Sequence, residues 1–298
     1  MAKRYDSPSP FSNARDVKLS FESDSPDHHR QRSEFIRNMV QKPRPAKPIS
    51  DDTSGIPRTV VQFWHDHAEL PNDVAECISS WSKWESCGFV HRLFDKPSAE
   101  DFISRTLSHE HVLAFGRCYH PAMQSDYFRL CYIFVEGGLY VDADDVCIAT
   151  DISYLFRGPQ LKVQPLCYDI DSNSMISPPE FLRPLSEPRN WIFYFNNNPL
   201  VGRKGDPIIE RALTRSTRLL NNALEGEFPE IQSTTGPGNL SRTIFEMGMT
   251  SDIEGNLMIL HDWEATALSK WPLSYRNDAR NWRHSNQRAF DVSVGCTQ

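Results

Sequence analysis

The sequence predicts an α/β domain, and three observations carry this prediction. Short β-branched and apolar segments alternate with longer segments whose apolar residues recur at helical spacing. Hydrophobic residues make up 39% of the 298 residues and aromatic residues 11%, which is enough for a sizeable core. The pair Gly137–Gly138 separates a predicted helix from a very short apolar strand, so the chain turns sharply between the two.

The first 55 residues differ in composition from the rest of the chain. They are rich in Ser, Pro, Asp, Arg and Lys, as in the segment QKPRPAKPISDDTSG, and bury too little apolar surface to offset the entropy of ordering. The sequence predicts a flexible or loosely docked N-terminal arm over residues 1–55, with one or two helical turns at Ser33–Val40. It predicts a single folded domain over residues 56–298.

The first half of this domain shows regular alternation of strands and helices. We predict, in order, a buried strand at Thr59–Phe63, an amphipathic helix from Asn72 or Asp73, a strand at Phe89–Asp95, a helix opened by a capping box of Ser98 and Asp101, a short helix in EHVLAFGRC, and a helix at Pro121–Glu136. The strand LYV then follows the glycine pair.

Beyond Val146 the pattern is weaker. The many prolines of Asp151–Pro188 predict long loops. After them we predict a strand in NWIFYFNNN, an amphipathic helix in DPIIERALTRSTRLLNNAL, a glycine turn and helix in TTGPGNLSRTIFEMG, a strand in NLMILHDWE, and an irregular polar end.

Charge and cysteine content exclude several classes of protein. The formal net charge of −7 argues against nucleic acid or an anionic membrane surface as the main partner. Seven cysteines without a CxxC pair indicate a reduced, cytoplasmic compartment. No apolar run approaches the roughly 20 residues of a membrane span, and the N-terminus lacks the apolar core of a signal peptide.

Three acids, Asp142, Asp144 and Asp145, follow the short strand after the glycine pair. Ligands of open α/β sheets bind beyond the carboxyl ends of strands, and hard cations such as Mg²⁺ and Mn²⁺ prefer carboxylate oxygens. A cation there would offset the repulsion between the acids. The sequence predicts a metal site, against the alternative of a solvated acidic turn, and leaves Asp145 open as a third ligand or a solvated neighbour.

The preceding helix carries Asp126 and Arg129 three positions apart, so they project from one side of it. They lie among aromatic residues. The pair is either part of the same site or a solvated surface ion pair.

The segment SDYFRLCYIFVEGGLYVDADD resembles the DXD-containing sugar-binding region of family 32 glycosyltransferases, and also that of the glucosylating clostridial toxins. The likeness extends over most of residues 56–290, with IPRTVVQFWHD similar to the family's opening strand. The resemblance implies a GT-A fold, in which a mixed nucleotide-sugar-binding sheet is flanked by helices. It also implies a nucleotide-sugar donor, a divalent cation (commonly Mn²⁺) and retention of the anomeric configuration.

The resemblance also implies roles for single residues. Asp144 binds the metal, and Asp142 binds the metal or the ribose and sugar of the donor. Asp126 and Arg129 hold the transferred sugar and the phosphate side of the donor, and Trp64 stacks on or near the base.

Weaker assignments concern later segments of the chain. Asn196 or Asn197 contacts donor or acceptor, unless the asparagines only form a turn, and Gly236 lies in a turn beside the site. The resemblance also implies a third metal ligand near the C-terminus, either His284 or His261, with a purely structural histidine as the alternative for each.

We therefore expect a metal-dependent hexosyltransferase that transfers a hexose from a UDP- or GDP-sugar to a glycan, lipid, small-molecule or protein acceptor, in polysaccharide or glycoconjugate synthesis. One alternative is a catalytically silent nucleotide-sugar-binding protein. Another is a phosphatase of the haloacid-dehalogenase type with Asp142 as nucleophile, because DADDV fits its D-x-D-x-[TV] pattern. That reading needs a later lysine and an acid pair that the sequence does not convincingly provide.

Overall fold

A computed structural model describes residues 25–42, 55–183, 189–251, 253–270 and 272–290. Its helices are α1 Pro26–Gln41, α2 Asn72–Ser82, α3 Lys96–Thr106, α4 His109–Gly116, α5 Pro121–Val135, α6 Pro178–Phe181, α7 Pro207–Asn222, α8 Ile231–Thr234, α9 Pro237–Gly248 and α10 Trp282–Ser285. Its strands are β1 Thr59–Phe63, β2 Val90–Phe94, β3 Gly138–Tyr140, β4 Asp145–Cys147, β5 Leu161–Asp169, β6 Ser174–Ile176, β7 Trp191–Gly202, β8 Leu257–Ile259 and β9 Ala267–Ser269.

Seven of the strands in the described ranges form one mixed sheet in the order β2-β1-β3-β7-β5-β6, with β8 paired to β5. Strands β2, β1 and β3 are parallel, β7 runs antiparallel to β3 and β5, and β8 is parallel to β5. Strands β4 and β9 form a separate antiparallel pair. The predicted α/β class, with a mixed sheet flanked by helices, is confirmed.

Successive residues of a strand point to opposite faces of the sheet, and both sets of side chains in β1 and β3 are buried. Both faces of the sheet are therefore covered. Val61 and Tyr140 lie in the larger core with residues of α1, α3, α4, α5, α7 and α9. Val60 and Leu139 lie in the second core with Trp81 of α2 and the segments around β4 and β9. Strands buried on both faces read as near-continuous apolar runs, which is why β1 and β3 were recognisable in the sequence.

The glycine pair acts as predicted. The Gly137 amide hydrogen-bonds to the Ile133 carbonyl, and Gly137 and Gly138 have φ values of 75° and 120°, which favour glycine. A Cβ on Gly138 would lie 2.8 Å from the Thr59 carbonyl oxygen. The pair therefore both ends α5 and lets β3 come close against β1.

The predicted loops of Asp151–Pro188 are wrong in part, because β5 and β6 lie in this range. Lys162 and Pro165 interrupt the apolar pattern of β5 in the sequence. The Lys162 side chain is fully buried, and its Nζ donates to the carbonyls of Gly158 and Gln160, while burial lowers its pKa to about 8. Pro165 lies at a shift in register, where its missing N–H is tolerated.

The described part of the N-terminal arm is a docked helix, longer than the one or two turns expected. Ser25 caps α1, and Ile36 and Val40, four residues apart, are buried in the larger core. The Ser33 hydroxyl accepts a 2.9 Å hydrogen bond from the Phe193 amide of β7. Residues 26–41 are thus packed against the sheet, while most of the arm lies outside the described residues and the division at residue 55 stays a prediction.

One cap also differs from the prediction. The capping box of α3 is formed by Asp95 and Ser98, not by Ser98 and Asp101: the Ser98 amide donates to Asp95 Oδ1, and the Asp95 amide donates to Ser98 Oγ, both at 2.9 Å. The helix accordingly begins two residues before Ser98. None of the described helices is long and apolar enough to span a bilayer.

Candidate active site

A cavity of about 710 Å³ opens where β1 and β3 end and where the middle of β7 crosses beside them. Its polar wall comes from the ends of β1 and β3, from α5, from three consecutive asparagines of β7, and from a segment near the C-terminus. The residues that carry the argument below are Trp64, Asp126, Arg129, Asp142, Asp144, Asn196, Asn197, Asn198, Tyr275, Arg276 and Arg280. A volume of this size suits a ligand of a few hundred daltons.

Arg129 contacts several residues in the buried part of the cavity wall. Its Nη2 donates to Asp142 Oδ1 at 2.8 Å and lies 3.1 Å from Asp126 Oδ1, and its Nη1 donates to the Asn197 carbonyl at 2.9 Å. The guanidinium carbon lies 4.4 Å from the centre of the Tyr140 ring. The side chain is only 3% exposed, so Asp126 and Arg129 are not a solvated surface pair. Arg129 fixes the Asp142 carboxylate in place.

Asp126 is held on both of its oxygens. Asn197 Nδ2 donates to Oδ1 at 2.8 Å, and the Thr235 hydroxyl donates to Oδ2 at 3.4 Å. Burial raises the pKa of Asp126, and the nearby Arg129 opposes this shift. Gly236 does not line the cavity, but a Cβ there would lie 3.1 Å from Asp126 Oδ2. The predicted role of this glycine beside the site thus corresponds to close backbone approach to Asp126.

Asn198 is a site residue that the sequence did not predict, as are Tyr275 and Arg276. Its Oδ1 accepts from the Asp142 amide at 2.9 Å, and its Nδ2 donates to Asp145 Oδ2 at 2.8 Å. Asn196 lines the cavity and donates from Nδ2 to the Asn198 carbonyl at 2.5 Å. The sequence feature that could have indicated Asn198 was the run of three asparagines in a predicted strand. The three residues do not form the turn considered as an alternative, since all lie within β7.

Asp145 belongs to the interior. It is 2% exposed, its carboxylate faces Asn198, and its carbonyl accepts from Trp81 Nε1 at 2.9 Å. Burial and the neighbouring acids Asp144 and Asp142 raise its pKa well above the usual range. Asp145 therefore joins β4 to β7 and is not a solvated neighbour.

Asp142 and Asp144 each keep one oxygen available. Asp144 Oδ2 accepts from the Tyr275 hydroxyl at 2.6 Å and pairs with the Arg276 guanidinium. No described residue donates a hydrogen bond to Asp142 Oδ2 or Asp144 Oδ1. Burial raises the pKa of Asp142 to about 6, Arg129 opposes this, and Asp144 adds to it.

These two oxygens fit a hard divalent cation that keeps other ligands. The described residues contain no group of three or more His, Cys, Asp or Glu side chains arranged to hold a metal. Mg²⁺ and similar ions are commonly bound through one or two carboxylates, with phosphate and water as the other ligands. The donor set therefore suits a cation that arrives with a phosphorylated ligand.

Trp64 lies at the end of β1 and is 7% exposed. Its ring packs edge-on against Tyr275, with centroids 5.2 Å apart, and the Arg280 guanidinium lies 6.0 Å from its centre. The indole Nε1 is buried and has no hydrogen-bond partner among the described residues. A buried donor without a partner is costly, so an acceptor from a bound ligand would stabilise it.

A protein-family model matches one segment of the chain, and this segment contributes residues to the cavity wall. Residues 64–154 match the family described as glycosyltransferase sugar-binding region containing DXD motif. This segment is therefore similar to the sugar-binding region of glycosyltransferases. It covers less than a third of the 298 residues and contains Trp64, Asp126, Arg129, Asp142 and Asp144.

Among solved structures, the chain is similar to one titled PaToxG glycosyltransferase. The two are 15% identical, with 73% of this chain and 76% of that chain covered and a TM-score of 0.43. No curated protein matches this chain.

The cavity wall is completed by residues that lie far beyond the matched segment in the sequence. Asn196, Asn197 and Asn198 enter from β7, and Tyr275 and Arg276 enter from the C-terminal side. The structure thus brings together the predicted site residues except three: Gly236 lies just behind Asp126, and His261 and His284 do not line the cavity.

Neither histidine proposed as a third metal ligand reaches the acids. His284 is exposed on α10 and does not line the cavity. His261 Nε2 and Nδ1 hydrogen-bond to the carbonyls of Val40 and Ile259 at 2.9 and 3.2 Å, so this ring ties β8 to α1. The prediction of a histidine ligand is not supported for the described residues.

The phosphatase alternative is disfavoured by the lining of the cavity. None of the described residues that line it is a lysine, and the cations there are arginines. Asp142, the nucleophile of that alternative, is tied through Oδ1 to Arg129. The arrangement favours binding of an anionic ligand over attack by this carboxylate.

Proposed function

We propose that the protein is a metal-dependent glycosyltransferase that moves a hexose from a UDP- or GDP-sugar to an acceptor hydroxyl with retention of anomeric configuration. The observation that carries the proposal is the pair of available oxygens on Asp142 and Asp144, inside a glycosyltransferase sugar-binding region. Two carboxylates at a strand end suit a cation that bridges to a diphosphate.

Asp142 and Asp144 would hold Mn²⁺ or Mg²⁺, which when bound supplies Lewis-acid stabilisation of the leaving diphosphate. Arg129 positions Asp142, because its guanidinium hydrogen bonds go to protein oxygens, including 2.8 Å to Asp142 Oδ1. Trp64 contributes a ring and an indole N–H that no described residue accepts from, which suit the base and an acceptor atom of the nucleotide.

Asp126, Asn196 and Asn197 line the part of the cavity where the transferred sugar would bind. Asp126 and Asn197 are hydrogen-bonded to each other and contact Arg129, and Asn196 donates to the Asn198 carbonyl, so these side chains are preorganised to bind sugar hydroxyls. Both Asp126 oxygens accept hydrogen bonds, which makes this carboxylate a poor nucleophile.

Transfer then proceeds without a covalent enzyme intermediate. The bond between sugar C1 and the phosphate oxygen breaks, and its electron pair stays on the diphosphate. The acceptor oxygen bonds to C1 from the same face, and its proton passes to the departing phosphate oxygen. The chain's own contribution is to orient the donor and to surround the developing charge with fixed dipoles.

The test is a donor panel of UDP- and GDP-hexoses with Mn²⁺, read by nucleotide release and by thermal stabilisation, since a ligand of the native state raises its stability. Asp144→Asn should abolish metal-dependent release, whereas Asp101→Asn, at an exposed acid that does not line the cavity, should leave it unchanged. Undiminished release by Asp144→Asn would refute the metal site. Stabilisation by nucleotides without release from any sugar would indicate a silent nucleotide-sugar-binding protein.

A further inference from the structure

We propose that Arg276 is a donor-binding residue that exchanges partners: it neutralises Asp144 in the donor-free protein and binds the diphosphate once a cation occupies the acids. This inference rests on the proposed function and adds a residue outside the family-matched segment. Arg276 lies 132 positions beyond Asp144 in the sequence.

Arg276 is carried by a docked segment, the C-terminal strap, defined as Leu273–Arg283. The Ser274 amide and hydroxyl donate to the Asp73 carboxylate of α2 at 2.7 and 3.1 Å. Asn281 Nδ2 donates to the Arg276 carbonyl at 2.8 Å. These contacts fix the backbone around Arg276, so its side chain can change partner while its Cα stays at the rim of the cavity.

The Arg276 guanidinium and a divalent cation compete for the negative charge of the Asp144 carboxylate. Arg276 and Tyr275 both donate to Asp144 Oδ2, and the ion-paired side chains are only 11% and 13% exposed. A cation bound to Asp144 lies about 2.0–2.6 Å from its oxygen and carries two positive charges. Two cations at that distance repel, so binding of the metal weakens the hold of Asp144 on Arg276.

A bound diphosphate would offer the displaced Arg276 guanidinium a stronger hydrogen-bonding partner. A diphosphate that bridges to the same cation places phosphate oxygens within a few ångströms of Asp144. Arginine binds phosphate through two parallel N–H bonds, which suits it to this exchange. Arg280, beside Trp64 on the same strap, is already paired with Asp278 at 2.7 Å, so the exchange is assigned to Arg276 alone.

The exchange predicts effects of opposite sign for two ligands. Without Arg276 the acids lose a competitor, so Mn²⁺ alone should bind more tightly, by about tenfold. UDP or GDP with saturating Mn²⁺ should bind more weakly, also by about tenfold, because a charge-assisted contact to the diphosphate is lost. A purely structural role of Arg276 would weaken both.

The experiment measures Mn²⁺ binding by the loss of the free-ion electron paramagnetic resonance signal, and nucleotide binding by calorimetry, in wild type and Arg276→Ala. Arg288→Ala, an exposed arginine beyond the strap that does not line the cavity, is the control and should change neither constant. Circular dichroism checks that each variant is folded. Arg276→Lys keeps the ion pair but not the two-pronged contact, so it should leave Mn²⁺ binding unchanged and weaken nucleotide binding severalfold.

Opposite shifts in Arg276→Ala support the exchange. Shifts in the same direction, or no shift, overturn it even if wild type binds nucleotides, and the proposed function then survives. Should Arg276→Ala fail to fold, the lysine variant decides: unchanged nucleotide binding overturns the proposal. Failure of wild type to bind any nucleotide with Mn²⁺ overturns both the proposed function and this inference.

Discussion

Removal of Arg129 by Arg129→Met would test the buried network most directly. The substitution keeps much of the apolar stem but leaves Asp126 and Asp142 without their shared cation. The Arg129 side chain is 3% exposed, and those of the two acids are 11% and 31% exposed. Breaking a buried ion pair costs about 3–5 kcal/mol. Because Asp142 is partly solvated, the lower end applies, and we expect a loss of about 3 kcal/mol.

The assay is urea unfolding followed by tryptophan fluorescence. A loss of this size should lower the midpoint by about 1 M or more, given slopes of about 1–3 kcal/mol per molar urea. Arg105→Met is the matched control, since Arg105 pairs with Asp101 on one helix face at 68% and 61% exposure. Exposed pairs contribute about 0–1 kcal/mol, so the control midpoint should hardly move.

A second variant separates charge from packing. Asp126→Asn combined with Arg129→Met removes one of the two uncompensated charges, so the double variant should be more stable than Arg129→Met alone. Equal midpoints for Arg129→Met and Arg105→Met would refute the reasoning. A double variant less stable than the single one would show that the cost comes from lost packing.

Two further predictions concern stability. Asn198→Ala removes the hydrogen bond from Asn198 Nδ2 to the buried Asp145 carboxylate and leaves the Asp142 amide without its Asn198 acceptor, so the unfolding free energy should fall by about 2–3 kcal/mol in urea titrations; an unchanged midpoint would contradict this role. Burial and Arg280 lower the pKa of His65 to about 4. The unfolded chain then takes up the proton first, so stability should fall as the pH drops from about 6.5 to 4, and His65→Gln should flatten that part of the profile. Identical slopes would exclude His65.

Local sequence gave the strands and helices that build the core, for a physical reason. Thr59–Phe63 and the strand after Gly138 are apolar runs bounded by turn signals, and Pro121–Val135 has an apolar helical face. These patterns depend on neighbours within a few residues. Strand β5 was missed because Lys162 is buried against carbonyls of its own turn, which no periodicity reports.

The acids and the helix pair could likewise be found from sequence, since a family motif and a glycine turn frame them. The different contacts of Asp142, Asp144 and Asp145 could not be predicted from the sequence. Asp145 turns inward because Asn198, 53 residues away, donates to it, while Asp144 faces Tyr275 from 131 residues away. Neither partner has a local pattern that points to the acids.

The sequence by itself determined the α/β class, the position of the DXD acids at a strand end, and the pairing of Asp126 with Arg129 on one helix. Only the tertiary structure decided that Arg129 fixes Asp142, that neither candidate histidine reaches the acids, and that Arg276 closes over Asp144. The reason is the separation along the sequence between interacting residues. Helix and strand periods depend on residues close in sequence. The site is assembled from distant segments that meet only when the sheet and the C-terminal strap have folded.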